Sequence, residues 1–271
     1  MKSFEEILKQ IISFCKKMPL PLISFAAYNE PSMDPFFIDR LMLLNKFGFT
    51  YWWISNASCM TNKIQRFLRE YNPKITNFHI NMPSCEPERL SKLVGITQFE
   101  AQKHIKSMSI FLEENPKLAK RVLFVVHGDG SPEHKQDFQR VLQWATVYSA
   151  KAVQASLVNR AGMLKGVGTY VEHSYPSLLF CGAHYTSNIY IGVEGNVYLC
   201  CHDYYKKTSF GNLKDQSLQC LLSCPQHKVA EKMLKDKFCR YCVFALGPWA
   251  RTKNIIARAS RRIRRAFHLA D

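Results

Sequence analysis

An α/β fold built on parallel strands is the class that the first 160 residues predict. Three observations carry it. Short apolar or β-branched runs recur at 22–27, 49–55, 75–81, 121–128 and 151–159. Between them lie stretches with apolar residues at three- and four-residue intervals, the period of a helix face. The runs themselves are apolar almost throughout, as strands are when crossover helices bury a parallel sheet.

The elements follow in order. The chain opens MKSFEEILKQIISFCKKMP, where Glu5, Glu6 and Lys9 interrupt the apolar pattern. A signal peptide needs an unbroken apolar centre, so this segment reads as an amphipathic helix. LISFAA (22–27) is the first strand. DPFFIDRLMLLNKFG (34–48) then places Phe37, Leu41 and Leu44 on one helix face, with Asp34 as its cap. FTYWWIS and ITNFHIN supply the second and third strands. TQFEAQKHIKSMSIFLEEN (97–115) is helical and leads to the fourth strand, RVLFVVHG. SPEHKQDFQRVLQWATVYSA (131–150) begins Ser-Pro-Glu, a favourable helix entry, and KAVQASLVN closes the series.

Parallel α/β sheets and barrels bind ligands beyond the carboxyl ends of their strands. The polar residues there are Tyr28, Asn29 and Glu30, then Ser55 and Asn56, then Asn81 and Ser84, then His127 and Asp129, then Asn159 and Arg160. Any one of them suits a loop or a helix cap. Their recurrence at the same end of all five strands predicts a ligand face.

After Gly168 the pattern changes. Residues 169–201 are strand-like, and GVEGNVYL predicts a hairpin turned at Gly195-Asn196, where both residues tolerate positive φ. Two short helices are expected near 213–224 and 226–237, followed by FCRYC (238–242). The final stretch, 251–271, holds seven basic residues against Asp271 alone, +6 of the formal net charge of +16. Ile256, Ile263 and Phe267 share one helical face there, so a basic amphipathic tail helix is expected.

Composition narrows the function. A chain of 271 residues with 47% hydrophobic and 21% charged residues folds as a globule rather than staying disordered. No run of about 18 apolar residues occurs, so no membrane span is expected and the reading is cytoplasmic. Ten cysteines in a reducing compartment read as free thiols or metal ligands, not disulfides. The positive balance points to an anionic partner; nucleic acid fits that charge but nothing further selects it.

Cys181, Cys200, Cys239 and Cys242 form the chemical constellation, at intervals of 18, 38 and 2 residues. A Cys-x2-Cys pair presents two thiolates to one cation or cluster, and four thiolates suit tetrahedral zinc or a [4Fe–4S] cluster. Cys201 follows Cys200 directly and, on strand alternation, should point the other way. Cys220 and Cys224 read as small buried side chains.

Cys181-x13-Gly195-x4-Cys200, the following TSFGNLKDQSLQCLL (208–222) and Cys239-x2-Cys242 resemble the SPASM/twitch region of radical S-adenosylmethionine (SAM) enzymes. No further cysteine follows Cys242, so the resemblance is to the shorter twitch form. It implies one auxiliary [4Fe–4S] cluster held by Cys181, Cys200, Cys239 and Cys242. The earlier residues are similar to the same family. YNEP (28–31) resembles its Gly-Glu-Pro segment, ISNAS (54–58) its Thr-Asn-Gly segment, and VNRAG (158–162) a later strand closing over the cofactor. The resemblance implies SAM contacts at Glu30, Ser55, Asn56 and Asn159, on a partial (β/α) barrel.

One departure stands out. The family's Cys-x3-Cys-x2-Cys loop has no counterpart, because Cys15 has no cysteine near it. Residues 22–27 correspond to the second barrel strand. The expectation is therefore a chain lacking the first strand and the SAM-cleaving loop, through a late start site or through degeneracy. The implied domains are a partial barrel over 1–168, a small α+β twitch-type domain over 169–245 and the basic tail over 246–271. The family's activity would be radical modification of a peptide, protein or sugar-type substrate, anionic by the charge argument. The alternative is a non-catalytic iron–sulfur or zinc module engaging an anionic partner.

Overall fold

The computed structural model describes residues 2–16, 18–26, 30–70, 75–161, 163–164, 166, 168, 171–175, 178–182, 188–247, 250 and 252. The predicted tail helix, and Tyr28 and Asn29 of the first strand end, lie outside the described residues. The chain divides into two compact units, 1–157 and 158–271.

The first unit holds one five-stranded sheet, all parallel, in the order β1-β2-β3-β4-β5. Its strands are β1 (Ile23–Phe25), β2 (Tyr51–Ser55), β3 (Ile75–Asn81), β4 (Val122–Gly128) and β5 (Lys151–Ser156). The helices are α1 (Lys2–Phe14), α2 (Phe37–Lys46), α3 (Asn62–Glu70), α4 (Pro87–Val94), α5 (Gln98–Glu114), α6 (Pro116–Ala119) and α7 (Pro132–Val147). Sequential strands are spatial neighbours, as a simple β–α–β series demands. The sheet is open; no closed barrel forms among the described residues.

Local chemistry sets the boundaries. Thr97 caps α5 through a reciprocal capping box with Glu100, and the Ser131 hydroxyl caps α7 by accepting from the His134 N–H. Gly95 ends α4 at φ +73°, a left-handed conformation that glycine adopts without steric cost. Asp34 does not cap α2 as expected. Its carboxylate accepts the Phe36 N–H and pairs with Arg40, while the N-cap position falls to Phe36. The acid sits two residues too early and fixes the turn that feeds the helix.

One face of the sheet carries the core. Trp53 of β2 meets Phe37 of α2 at 5.1 Å and Phe78 of β3 at 4.8 Å between ring centroids. Phe78 reaches Phe111 of α5, and Phe124 of β4 packs on Trp144 of α7. Each such fully buried aromatic contributes roughly 2–3 kcal/mol of transfer free energy. The alternate residues form the other face. Trp52, Ile54, His79, Asn81, Leu123 and His127 are only half-buried, and Val153 is exposed. The strands thus alternate more than their apolar sequences suggested, because within this unit α2, α5 and α7 pack on the same side.

The second unit is built from much shorter pieces: β6 (Phe180–Cys181), β7 (Tyr190–Ile191), β8 (Val197–Tyr198), α8 (Leu218–Ser223), α9 (Pro225–Met233) and β9 (Ala245–Leu246). A π-helical turn (Leu234–Phe238) and a 3-10 turn (Cys239–Tyr241) lead out of α9. β7 and β8 pair antiparallel as the expected hairpin. Gly195 takes φ +93° in its turn, whereas Asn196 is not left-handed, so one glycine supplies all the positive φ there. The Gly211-Asn212-Leu213 segment then clasps the hairpin. Val197 donates to the Gly211 carbonyl, Leu213 donates to that of Gly195, and the Asn212 amide reaches Asn196 Oδ1 at 2.9 Å.

Candidate metal centre

Three segments of the second unit deliver the cysteines. Cys181 arrives on β6, which does not join the β7–β8 hairpin. It pairs antiparallel with β9, so that Cys181 lies opposite Ala245. Gly182 donates to the Phe244 carbonyl at 2.8 Å. A Cβ on Gly182 would fall 2.6 Å from the Leu246 side chain, so glycine is what lets the two strands approach. Cys239 and Cys242 flank the 3-10 turn, which the Cys242 N–H closes on the Cys239 carbonyl at 3.1 Å. The Ala245 N–H returns to the Cys242 carbonyl, joining that turn directly to β9. Cys200 follows the hairpin. Its sulfur accepts the His202 N–H at 3.4 Å, the kind of bond that tunes a metal-bound thiolate.

The thiols lie in mutual electrostatic range. Burial pushes Cys239 up to about 12, and the neighbouring Cys242 and Cys181 push it further in the same direction. Burial also raises Cys242, with Cys181 and Cys201 adding to the shift. Cys200 is raised first by its hydrogen bond to Cys201 and next by burial, and Cys181 contributes. Cys201 is lowered to about 7, chiefly because Cys200 donates to it, with help from Tyr190 and the Arg160 guanidinium. Cys201 is therefore not turned away as strand alternation predicted. The strand ends at Tyr198, and beyond it the rule has no hold. Spacing gave no sign of Arg160 or Tyr190 at this locus.

Among the described residues no group of three or more His, Cys, Asp or Glu side chains forms a ready cage for a metal ion. The fit to a thiolate-ligated group rests on the donors. Five thiols, Cys181, Cys200, Cys201, Cys239 and Cys242, influence one another from three backbone segments; the bond to Cys201 and burial raise Cys200, and burial with mutual repulsion raises Cys239 and Cys242. A cation reverses that balance by displacing the protons.

In the first unit, three of the expected cofactor-contacting residues come together. Glu30 Oε1 accepts from Ser55 Oγ at 2.5 Å, from Ser32 Oγ at 2.6 Å and from the Ser32 N–H at 3.0 Å. Its Oε2 accepts the Asn56 N–H at 2.6 Å. The carboxylate thus ties the end of β1 to the end of β2. Asn159 lies in the second unit, buried, with its carbonyl accepting from Leu164. At the other strand ends, Ser84 and Asp129 bind nearby backbone N–H groups, as loop residues do. Asn81 Oδ1 and His127 Nδ1 face each other at 2.9 Å across β3 and β4.

The model of the SPASM iron–sulfur cluster-binding domain matches residues 181–243. Among solved structures, Streptococcus suis SuiB bound to precursor peptide SuiA aligns with a TM-score of 0.60 at 12% identity, over 88% of this chain and 64% of that one. SuiB bound to S-adenosylmethionine aligns at 0.58, also at 12% identity and with the same coverage. BtrN in complex with AdoMet and 2-DOIA gives 0.49 at 17% identity, over 90% and 79%. The chain therefore spans just under two thirds of SuiB. No curated protein matches it in sequence. No described helix is long and apolar enough to cross a membrane. Residues 181–243 thus match the SPASM iron–sulfur cluster-binding domain, in a chain whose fold is similar to that of SuiB.

Proposed function

We propose that this protein is a radical-SAM-like protein in which Cys181, Cys200, Cys239 and Cys242 hold one auxiliary [4Fe–4S] cluster. The observation that supports this reading is that the span matched by the SPASM model contains all four cysteines, with Cys181, Cys239 and Cys242 close enough to shift one another's titration. When bound, such a cluster anchors substrate or accepts an electron. The chain's own residues do the rest. The β6–β9 pairing fixes Cys181 opposite Ala245, the Cys242 N–H shapes the turn, and Cys200 is buried while the other three thiols are half-buried.

SAM binding is assigned to Glu30, Ser55, Asn56 and Asn159 by the family resemblance. The substrate is a peptide, protein or sugar derivative, and the peptide-bound SuiB fold supports the peptide class. The domain limits proposed are 1–168, 169–245 and 246–271, with a cytoplasmic location suited to thiolate ligands. The 271 residues contain no Cys-x3-Cys-x2-Cys, the loop whose three thiolates leave one iron open to SAM.

Anaerobic reconstitution followed by iron and sulfide counting tests the cluster. About four irons per chain is expected; a colourless zinc protein would overturn it. Incubation with SAM and a strong reductant tests the missing loop. No 5′-deoxyadenosine is expected, and catalytic turnover would overturn that part. The second reading is a non-catalytic cluster module. SAM binding without cleavage separates a degenerate enzyme from a module that never meets SAM.

A further inference from the structure

Just after the Cys200-Cys201 pair, residues 202–208 read His-Asp-Tyr-Tyr-Lys-Lys-Thr. Asp203 is fully buried, and its carboxylate faces back along the loop. Oδ1 accepts the Lys207 N–H at 2.8 Å and Oδ2 accepts the Thr208 N–H at 2.5 Å. The Asp203 N–H is itself spent on the Cys200 carbonyl at 3.2 Å, and Lys206 N–H donates to the Asp203 carbonyl at 2.9 Å. The loop is therefore shaped from within by one acid. Lys206 takes φ +56°, a conformation that a non-glycine residue holds only where its surroundings impose it.

What the clasp projects is unusual for an idle surface. Tyr204 and Tyr205 are 46% and 57% exposed, and their rings meet edge to face at 5.5 Å. Lys206 and Lys207 are exposed beside them, and the Lys207 ammonium sits 5.6 Å from the Tyr205 ring centroid. Two phenols and two ammonium groups thus share one tip. The loop's own acid is buried and its oxygens are turned to backbone N–H groups. Rigid tyrosines give contact area at low entropic cost, and a preordered loop loses little freedom on binding.

We propose that this tip is a docking surface for an acidic, extended peptide segment, whose carboxylates are bound by the Tyr204 and Tyr205 hydroxyls and the Lys206 and Lys207 ammonium groups. Peptide is favoured over nucleic acid by the ring geometry. A base needs an open aromatic face to stack on. Here Lys207 lies over the Tyr205 ring and the two tyrosine rings pack edge to face against each other. This inference concerns binding alone and does not depend on the cluster assignment.

The test is fluorescence anisotropy with the full reconstituted chain and three labelled probes: an alternating Glu-Gly decapeptide, its Gln-for-Glu counterpart and decathymidylate. Saturable binding of the Glu peptide is expected, falling with salt and absent for the Gln peptide. The double variant Lys206→Gly/Lys207→Gln removes both charges while placing glycine where φ is positive. It should weaken binding at least tenfold, and Tyr204→Phe/Tyr205→Phe several-fold. Unchanged iron content and circular dichroism keep either result from reflecting a lost fold or a lost cluster. The proposal is overturned by equal binding of the Gln peptide or by stronger binding of decathymidylate. It is equally overturned if the loop variants bind as before while deletion of 251–271 abolishes binding.

Discussion

The two units of the chain reach order by different means. In the first, strands of three to seven residues carry large aromatics into one continuous core with long, well-capped helices. In the second, each strand is two residues long, and turns, a glycine approach and side-chain clasps replace the ladder. Isolated two-stranded pieces are marginal in water. The comparison teaches that the first unit stores its stability in apolar burial. Among its described residues the second buries a smaller set, led by Leu179, Val197, Tyr198, Leu199, Phe210, Leu213, Leu218, Leu221, Leu234 and Phe238, so a metal–thiolate core has the most to add there.

The largest expected effect follows from that contrast. Alanine at Cys181, Cys200, Cys239 or Cys242 should each remove most of the bound iron. Hydrogen exchange over the second unit should accelerate by orders of magnitude, while β2 to β4 stay protected. Exchange that speeds up equally in both units would erase the distinction. The reverse experiment acts on the first unit. Glu30→Ala deletes four hydrogen bonds to one carboxylate and should cost about 2–4 kcal/mol, read as a lower melting temperature with iron content intact. A negligible cost would mean that the carboxylate is held for a ligand and not for the strand ends.

Cys201 offers a sharper cut within the second unit. If Cys200 is the ligand, Cys201→Ser retains about four irons per chain and Cys200→Ser does not. The opposite pattern would move the fourth ligand by one residue. The smallest effect is on pH. Burial pushes the Tyr51 phenol up to about 12, above its ordinary value near 10. A raised folded value means that this stabilisation is complete below about pH 10 and is lost as pH rises through 12. Tyr51→Phe should therefore be slightly less stable at pH 8, where it lacks the hydroxyl's 3.1 Å bond to Asn45. It should be relatively more stable than the wild type above pH 12, as melting curves at the two pH values would show.

By itself the sequence determined the α/β class, the five strands to within a few residues, the entry of α7 and the family of the cysteine spacing. Each of these rests on local periodicity or on side chains bonding their own backbone, and such signals survive without knowledge of neighbours. Only the tertiary structure decided that Asp34 shapes a turn instead of capping α2, because two residues of offset move a carboxylate out of reach of the helix N–H groups. It decided that Cys181 meets the Cys239–Cys242 turn through β9, a pairing between segments more than sixty residues apart with no local signature. It also decided that Cys201 joins the thiol group, with Arg160 and Tyr190 beside it. Strand alternation constrains side chains only while the strand lasts, and β8 stops at Tyr198, three residues before that sulfur.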